Sequence, residues 1–321
     1  MSARGDLGWI GDTTRSGLDR FNPFVHLAKL SEGRFWVAAL LTPAIVIIAL
    51  IVVYPTIYGI TLSFREMRLL RPDLGTGFVG LKHYIDMLQD QVFWWSLRNT
   101  AMWVVLSIAL ELALGMASAL ALNRSLPGLK LIGVIVLLPW FLPNVVAGNM
   151  WALMLDARLG VINDILVRIG VLDTFKAWFA DPTSAFGAAV LVEAWHGFPF
   201  FTLFIMAALK GIPEEHYEAA AVDGASRFQV FRWITMPALK PVIVISVILH
   251  VITLVNSPDL LLILTKGGPG NATMVLSLYA FENAYSDFDF GYSAALSVVM
   301  LALLLLFAYL YVRASNLLAN Q

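Results

Sequence analysis

Five ionisable side chains lie within otherwise apolar stretches of this sequence: Glu111, Glu193, His196, His250 and Asp259. A charged group is costly to hold in hydrocarbon, so such residues generally pair with one another or line the path of a ligand or ion. The chemistry that they offer is hydrogen bonding and charge pairing in a dry environment. The alternative for each is a hydrogen bond that joins two helices. We favour this alternative for Glu111, and for His250 both interpretations stay open.

Two short clusters have the composition of a ligand cavity. Residues 193–196 read EAWH, which places an indole ring beside two hydrogen-bonding groups. This suits a sugar, because the ring can stack on the apolar face of the ligand while the polar groups pair with its hydroxyls. Asn256 and Asp259 flank Pro258, which frees a backbone carbonyl. With two residues from an earlier stretch, the predicted cavity residues are Asn144, Trp151, Glu193, Trp195, His196, Asn256 and Asp259.

The same residues do not indicate catalysis. The sequence contains no nucleophile and base at a recognisable spacing and no cluster with the spacing of metal ligands. The absence of Cys excludes disulfides and thiolate sites, and a net charge of −1 argues against nucleic acid as a partner. We therefore expect the chain itself to be neither an enzyme nor a metal-binding protein.

The elements that position these residues are membrane spans. The chain is 59% hydrophobic and only 13% charged, far from the usage of soluble domains. Six stretches without Lys or Arg are long enough to cross a bilayer, with a kink expected at Pro139 and Pro143 in the third. They are residues 36–62, 99–122, 131–154, 186–208, 241–264 and 292–312. The prediction is an all-α polytopic membrane protein with six transmembrane helices.

The expected organisation is a transmembrane domain, 35–314, between cytoplasmic tails 1–34 and 315–321. The first tail lacks the apolar core and cleavage site of a signal peptide. An even number of spans places both termini on one side. The segments then assigned to the cytoplasm hold a small majority of the 21 Lys and Arg residues, which favours this orientation weakly. We expect a multi-pass protein of the cell membrane, inner or plasma, with both termini cytoplasmic.

The longest polar segment of the second half, Glu214–Pro237, lies between two spans. Pro213 and two following glutamates favour the start of a helix, and Gly224 favours its end. A second short helix is expected from Arg227, ending at Pro237. The alternatives are an ordinary amphipathic loop and a DNA-reading helix–turn–helix, although a DNA reader would not lie between membrane spans in a chain without basic surplus.

This segment resembles the membrane subunits of binding-protein-dependent ABC importers. Their signature is Glu-Ala-Ala, three residues, Gly, nine residues and Ile-x-Leu-Pro; here residues 218–220 are EAA, residue 224 is Gly, and residues 234–237 are ITMP. Met236 replaces Leu, a swap of similar volume. The resemblance implies that the loop 210–238 is cytosolic and carries a coupling helix that docks on an ATPase subunit. The coupling residues that it implies are Glu218, Ala219, Ala220, Asp223, Gly224, Arg227 and Pro237.

Three further segments resemble the maltose-type carbohydrate subgroup of the same family. Residues 78–84 read FVGLKHY, with His83 where the family has Asn, residues 264–269 read LTKGGP, and residues 289–295 read DFGYSAA. One departure is Ser257-Pro258, where the family pattern has an aromatic residue before Asp259. The resemblance implies that outer loops dock an extracytoplasmic binding protein, with Gly267, Gly268 and Pro269 at the docking surface.

The resemblance further implies the type I importer permease fold and import of a sugar or sugar-like solute by alternating access. The expected partners are a second permease subunit, an ATPase dimer, the binding protein and membrane lipid. In this subgroup the second permease subunit is generally a different homologous chain. No G-x-x-x-x-G-K-[ST] loop occurs, so ATP and Mg are assigned to the ATPase partner and no cofactor to this chain. The alternative cargo is a polyol or glycerophosphodiester. The alternative class is an ion-coupled secondary transporter, with Glu193 and Asp259 as ion sites.

Overall fold

The computed structural model describes residues 34–71, 73, 75–124 and 127–319. Within this part of the chain the regular secondary structure is helical, and the β-contacts are two isolated bridges, Arg65–Phe78 and Arg68–Asp289. The chain divides into two compact units, Met1–Gly59 and Ile60–Gln321. The predicted tail 1–34 lies outside the described residues apart from Arg34, and so do the last two residues of the predicted tail 315–321.

The first unit contains a proline that is accommodated by a local change of helix type. Helix α1 (Arg34–Ile48) leads through a π-helical turn (Ala49–Val53) into helix α2 (Tyr54–Leu62). The turn closes with a bond from the Tyr54 N–H to the Ala49 carbonyl, immediately before Pro55. A proline ring collides with the carbonyl four residues earlier in a regular α-helix. Widening the helix by one residue avoids that collision and lets the helix continue.

The second unit contains the remaining helices. In chain order they are α3 (Lys82–Gln89), α4 (Gln91–Leu122), α5 (Leu129–Phe141), α6 (Asn144–Met154), α7 (Val161–Arg168), α8 (Pro182–Lys210), α9 (Glu214–Val222), α10 (Arg227–Val230), α11 (Met236–Asn256), α12 (Asp259–Leu264), α13 (Leu276–Tyr285) and α14 (Phe290–Ala319). A second π-helical turn, Phe231–Thr235, joins α10 to α11. The unit is therefore an all-helical bundle.

Five stretches in the described part of the chain are long and apolar enough to cross a membrane: Leu40–Leu62, Gln91–Leu122, Pro182–Lys210, Arg227–Asn256 and Phe290–Ser315. A sixth crossing requires α5 and α6 together, and these two helices meet at an angle of 98°. The six predicted spans are therefore present when the bent pair counts as one.

The third predicted span, 131–154, is broken where the sequence predicted only a kink. Leu142 adopts an extended conformation between α5 and α6, and Pro143 precedes the first residue of α6. The residue before a proline is driven out of the α-helical region by the proline ring. Pro139 by contrast is accommodated inside α5. The Leu142-Pro143 step thus separates two helices of different direction.

The prediction that Pro237 ends a short helix is wrong. The stretch Arg227–Asn256 is one helix of 30 residues, and the π-helical turn again comes immediately before the proline. The helix ends at Asn256, before the predicted limit of the span 241–264. Ser257 is extended before Pro258, and α12 begins after it as a separate helix.

The most extensive helix contact in the described part of the second unit joins α4 to α8. A Cβ on Gly115 would lie 3.0 Å from the Phe198 carbonyl oxygen and from the Thr202 nitrogen. Ala119, one turn further along α4, is fully buried. Small residues let helix backbones approach in a membrane, where packing rather than water exclusion drives association. The small-residue face of α4 thus determines where α8 packs.

Two of the family-like segments pack against each other outside the spans. His83 is fully buried, and its Nε2 donates to the Arg65 carbonyl at 3.0 Å. Gly291, at the start of α14, leaves room for this contact, since a Cβ there would lie 2.7 Å from the His83 Nε2. Arg68 Nε also pairs with Asp289 at 2.7 Å. The segment 78–84 and the start of α14 therefore form one packed unit.

Candidate functional site

A cavity of about 350 Å³ lies where α8 and α11 meet the break between α5 and α6. Its lining consists of Trp140, Leu142, Pro143, Asn144, Glu193, His196, Phe200, His250, Thr253, Leu254, Ser257 and Leu260. The contributions of α8 (Glu193, His196, Phe200) follow the spacing i, i+3, i+7, and those of α11 (His250, Thr253, Leu254) follow the spacing i, i+3, i+4. Residues at these spacings share one helix face, so each helix presents a single face to the cavity.

The structure brings together some of the predicted cavity residues and separates others. Asn144, Glu193 and His196 line this cavity. Trp151 and Trp195 are outside the described lining and pack edge to face, with ring centroids 5.4 Å apart. Asn256 is exposed on α11.

The exposed Asn256 does not reach across to another helix. Its amide donates to the Ile252 carbonyl of its own helix at 2.8 Å. Asn149, on α6, makes the same kind of bond to the Val145 carbonyl. Each side-chain amide therefore finds its hydrogen-bond acceptor in the backbone of its own helix, as polar residues in apolar helices commonly do.

A chain of side chains connects Asn144 to Asp259. The Asn144 amide donates to the Ser257 hydroxyl at 3.2 Å, and that hydroxyl donates to the Asp259 carboxylate at 2.9 Å. Asp259 stands in the first turn of α12, where the helix dipole favours a negative charge. Ser257, which stands where the family pattern has an aromatic residue, thus joins the start of α6 to the start of α12.

His196 holds the broken helix in place. Its Nε2 donates to the Leu142 carbonyl at 3.0 Å, so the proton lies on that nitrogen. Leu142 is the residue at which α5 ends, and a carbonyl at a helix end has no partner within its own helix. The bond therefore supplies the missing partner and fixes α8 to the bend beside the cavity.

Three ionisable residues from three helices converge at the cavity wall, and two of them, Glu193 and His250, line the cavity. Glu111 of α4 is fully buried, and its Oε2 lies 2.6 Å from the His250 Nε2 of α11. Glu193 of α8 places a carboxylate oxygen within 4.8 Å of the other two ligand atoms. Glu111 thus contacts another helix, as the interhelical alternative expects, but the contact lacks hydrogen-bond geometry: neither Glu111 Oε2 nor His250 Nε2 has a hydrogen-bond partner among the described residues. Two carboxylates and an imidazole are also donors that a divalent transition metal accepts.

Aromatic rings form the opposite side of the lining. Phe200 stacks on His250 with centroids 5.0 Å apart, and Trp140 lies 6.0 Å from Phe200. Sequence reasoning missed Phe200, Trp140 and Thr253, because an aromatic residue or Thr in an apolar span carries no signal of its own. The helical spacing from Glu193 to Phe200 and from His250 to Leu254 is the signal that could have identified the two faces.

The predicted coupling helix is present as α9. Its C-terminus closes with bonds from the Gly224 N–H to the Ala221 carbonyl and from the Ala225 N–H to the Ala220 carbonyl. This pair of bonds defines a Schellman motif, which requires a left-handed residue, and Gly224 has φ of +71°. Ser226 and Gln229 then form a capping box that begins α10. The turn between α9 and α10 is therefore set by local sequence.

The loop exposes both polar and apolar residues. Glu218, Ala219, Asp223, Gly224, Arg227 and Pro237 are exposed, whereas Ala220 is buried. Three large apolar side chains are also mostly exposed: Val222 at 88%, Phe228 at 74% and Trp233 at 71%. Apolar side chains clustered on a polar loop mark a surface that contacts another protein or lipid.

The predicted docking loop is held by buried polar contacts. The Asn99 amide of α4 donates to the Asn271 and Met274 carbonyls, each at 3.0 Å. Thr273 donates to the Gly268 carbonyl at 2.8 Å. Gly267 is buried and Gly268 and Pro269 are half-buried. These three residues therefore shape the loop, and its exposed positions are their neighbours.

Replacing Asn99 by Ala should destabilise the protein by about 2–6 kcal/mol, because the buried Met274 carbonyl and the half-buried Asn271 carbonyl would lose their donor at about 1–3 kcal/mol each. The matched control is Asn149→Ala, which removes an exposed amide that bonds only to its own helix. Thermal unfolding in detergent measures the difference. Equal midpoints for the two variants would contradict the structural assignment of Asn99.

Asp90 organises the N-terminal end of α4. Its carboxylate caps the helix through the Val92 N–H and accepts hydrogen bonds from the Tyr279 and Tyr292 hydroxyls. Burial, followed by the hydrogen bond to Asp90, raises the pKa of Tyr279 well above its ordinary value. Tyr279 therefore remains a neutral donor throughout the physiological range of pH.

Residues 111–317 match the model of a family described as the binding-protein-dependent transport system inner membrane component. This chain belongs to that family. The matched range begins at the buried Glu111 and includes the cavity, α9 and the outer loop that follows α12. The family assignment makes the chain a transport permease component of an inner membrane.

Curated relatives match over most of their length. The trehalose/maltose transport system permease protein MalF of Thermococcus litoralis is 36% identical over 274 residues, which are 85% of this chain and 91% of the relative. The sulfoquinovosyl glycerol transport system permease protein SmoG of Agrobacterium fabrum is 36% identical over 280 residues, 87% of this chain and 90% of the relative. The diacetylchitobiose uptake system permease protein NgcF of Streptomyces coelicolor is 33% identical, over 88% of this chain and 83% of the relative.

The fold matches a solved structure. A chain of a bacterial ABC transporter involved in the import of the acidic polysaccharide alginate superposes with a TM-score of 0.77, covering 91% of this chain and 98% of that chain at 21% identity. The prediction of an all-helical importer permease fold is thereby confirmed.

Proposed function

We propose that this chain is the membrane-spanning subunit of an ATP-driven importer that receives a sugar or sugar-like solute from an extracytoplasmic binding protein and passes it into the cytoplasm. The observation that carries the proposal is the cavity at the α5–α6 break. It combines aromatic faces with hydrogen-bonding groups at Asn144, Glu193 and His196. This is the combination by which proteins bind polyhydroxyl ligands. The names of the three relatives given above, each a carrier of a sugar or sugar derivative, support the same class.

The lining favours a neutral ligand. Among the described residues that line the cavity there is no Lys or Arg, and Glu193 contributes a carboxylate. A phosphodiester would be held by charge-assisted bonds from cations. A neutral sugar or polyol, whose hydroxyls can donate to Glu193, therefore fits this lining better than a glycerophosphodiester.

The polar loop supports coupling to an ATPase partner. α9 is only nine residues long. Its last residue, Val222, and Phe228 of α10 are exposed apolar side chains that would fill a groove on that partner. The sequence has no phosphate-binding G-x-x-x-x-G-K-[ST] motif, so ATP and Mg would be held by the partner. This arrangement places the loop and both termini in the cytoplasm, opposite the binding protein, and includes a second permease subunit.

The test is ATP hydrolysis by the co-purified complex in lipid, with binding protein loaded from a panel of neutral sugars, polyols and glycerophosphodiesters. Stimulation by one loaded binding protein would support the proposal and identify the cargo. Isolation of the chain alone, with solute uptake driven by an ion gradient, would overturn it.

Replacing Glu193 by Gln should raise the KM for uptake roughly ten-fold, because Gln keeps only one of the two acceptor oxygens and a lost hydrogen bond costs about 0.5–1.5 kcal/mol. The control is Asn256→Ala, which alters a polar residue outside the described lining. Uptake of labelled cargo into proteoliposomes measures both variants. An unchanged KM for Glu193→Gln would remove this residue from the cargo site.

A further inference from the structure

A second cavity opens where α4 and α8 end and α5 begins. Its volume is about 520 Å³, and it lies away from the cavity at the α5–α6 break. The lining consists of Leu122, Asn123, Arg124, Leu129, Lys130, Gly133, Val134, Leu137, Met206 and Lys210. Since all three helices belong to membrane crossings, these helix ends lie at the depth of the lipid headgroups.

The polar part of this cavity is positively charged. Arg124, Lys130 and Lys210 are exposed, and within the described part of the chain none of them forms an ion pair. No acidic residue occurs in the described lining. Gly128 begins α5 without a side-chain cap, so the positive end of that helix adds to the same field. The three cations and the helix end favour an anion.

The remaining lining is apolar and suits a hydrocarbon chain. Leu122, Leu129, Val134, Leu137 and Met206 line the cavity. Gly133 leaves a shallow depression, because a Cβ there would meet only the Leu122 methyl groups, at 3.9 Å. A free inorganic anion would leave this surface uncovered. A ligand with both a phosphate and an acyl chain would use both parts.

We propose that this cavity binds an anionic phospholipid, with its phosphate at Arg124, Lys130 and Lys210 and one acyl chain along the apolar wall. Basic pockets between transmembrane helices are the usual sites of anionic headgroups, and each cation near a charged leaflet adds to the preference for anionic over neutral lipid. The long side chains of Arg and Lys can follow a bound headgroup while their stems stay on apolar surface. The site requires neither cargo nor ATP.

The experiment uses the assembled transporter in nanodiscs of phosphatidylcholine with a minor fraction of phosphatidylglycerol. Native mass spectrometry then counts the lipids that remain bound after release. The test variant is the triple substitution R124Q/K130Q/K210Q, and the matched control is R158Q/R168Q/K176Q, which removes the same number of charges from the predicted outer segment 155–185. The test variant should retain roughly ten-fold less phosphatidylglycerol, whereas the control and the phosphatidylcholine adducts should be unchanged.

Three outcomes would overturn the proposal. The first is equal loss of phosphatidylglycerol in both triple variants, and the second is its displacement by inorganic phosphate, which would indicate a site for free anions. The third is cross-linking of Lys130 and Lys210 to a partner subunit without bound lipid. Because lipid counting needs no transport activity, failure of the proposed cargo would not affect the result.

Discussion

Gly224→Val is expected to lower ATP hydrolysis stimulated by the loaded binding protein roughly ten-fold, because a left-handed backbone costs a non-glycine residue about 1–2 kcal/mol. At φ of +71° the turn between α9 and α10 cannot hold a β-branched residue without strain. The chain can relieve that strain only by giving up the two bonds of the Schellman motif. α9, the proposed coupling helix, would then lose its fixed direction relative to α10.

The design of this test separates backbone strain from bulk. A Cβ at residue 224 would meet no heavy atom within 4 Å, so there is room for a side chain. The matched control is Gly224→Asn, because Asn tolerates the left-handed region. Stimulated ATP hydrolysis by the co-purified complex should be near normal for Asn and strongly reduced for Val. Similar loss in both variants would show that the glycine is needed for close approach of the partner and not for its backbone conformation.

Gly197→Ala is expected to destabilise the protein by about 1–3 kcal/mol, the usual cost of adding a carbon to a filled core. A Cβ at residue 197 would overlap the Glu111 carboxylate and lie 3.1 Å from the His250 Nε2. Glu111 is fully buried, so its carboxyl group has little room to move away from the added carbon. Separating Glu111 from His250 would remove the contact that joins α4 to α11 inside the bundle.

Two matched variants make this prediction specific. Gly187→Ala adds the same carbon to α8 at a position with no heavy atom within 4 Å, and it should leave the unfolding midpoint unchanged. In the double variant Gly197→Ala/Glu111→Ala the overlap is gone, so the two effects should be less than additive by about 1 kcal/mol or more. Thermal unfolding in detergent measures the unsubstituted protein, the double variant and the three single variants Gly197→Ala, Glu111→Ala and Gly187→Ala. Strict additivity would contradict the overlap.

Local signals in the sequence were sufficient for the coupling segment. Pro213, the two glutamates that follow it and Gly224 act within one turn of the residues that they affect. The structure accordingly has α9 and a left-handed Gly224 where the sequence predicted them. Pro237 was misjudged because a helix can pass a proline by widening to a π-helical turn. Whether the helix continues past the proline depends on the apolar residues that follow Pro237, and here they extend the helix to 30 residues.

The cavity was only partly predictable, because it too depends on residues that are far apart in the sequence. Hydropathy and the cost of buried charge identified the spans and the residues that need partners, since both depend on composition alone. Which partner each residue meets depends on how helices distant in sequence cross. Because of the break at Leu142-Pro143, Asn144 lies within hydrogen-bond distance of Ser257, and the Leu142 carbonyl accepts a hydrogen bond from His196.

The sequence by itself therefore determined the number and nature of the spans, the coupling segment and the candidate polar residues. Only the tertiary structure decided that Glu111 pairs with His250, that Trp151 faces Trp195 and that Asn256 bonds within its own helix. These choices follow from the close packing of α4 on α8 and from the proline breaks beside the cavity. Packing of helices that are far apart along the chain leaves no local pattern from which it can be derived.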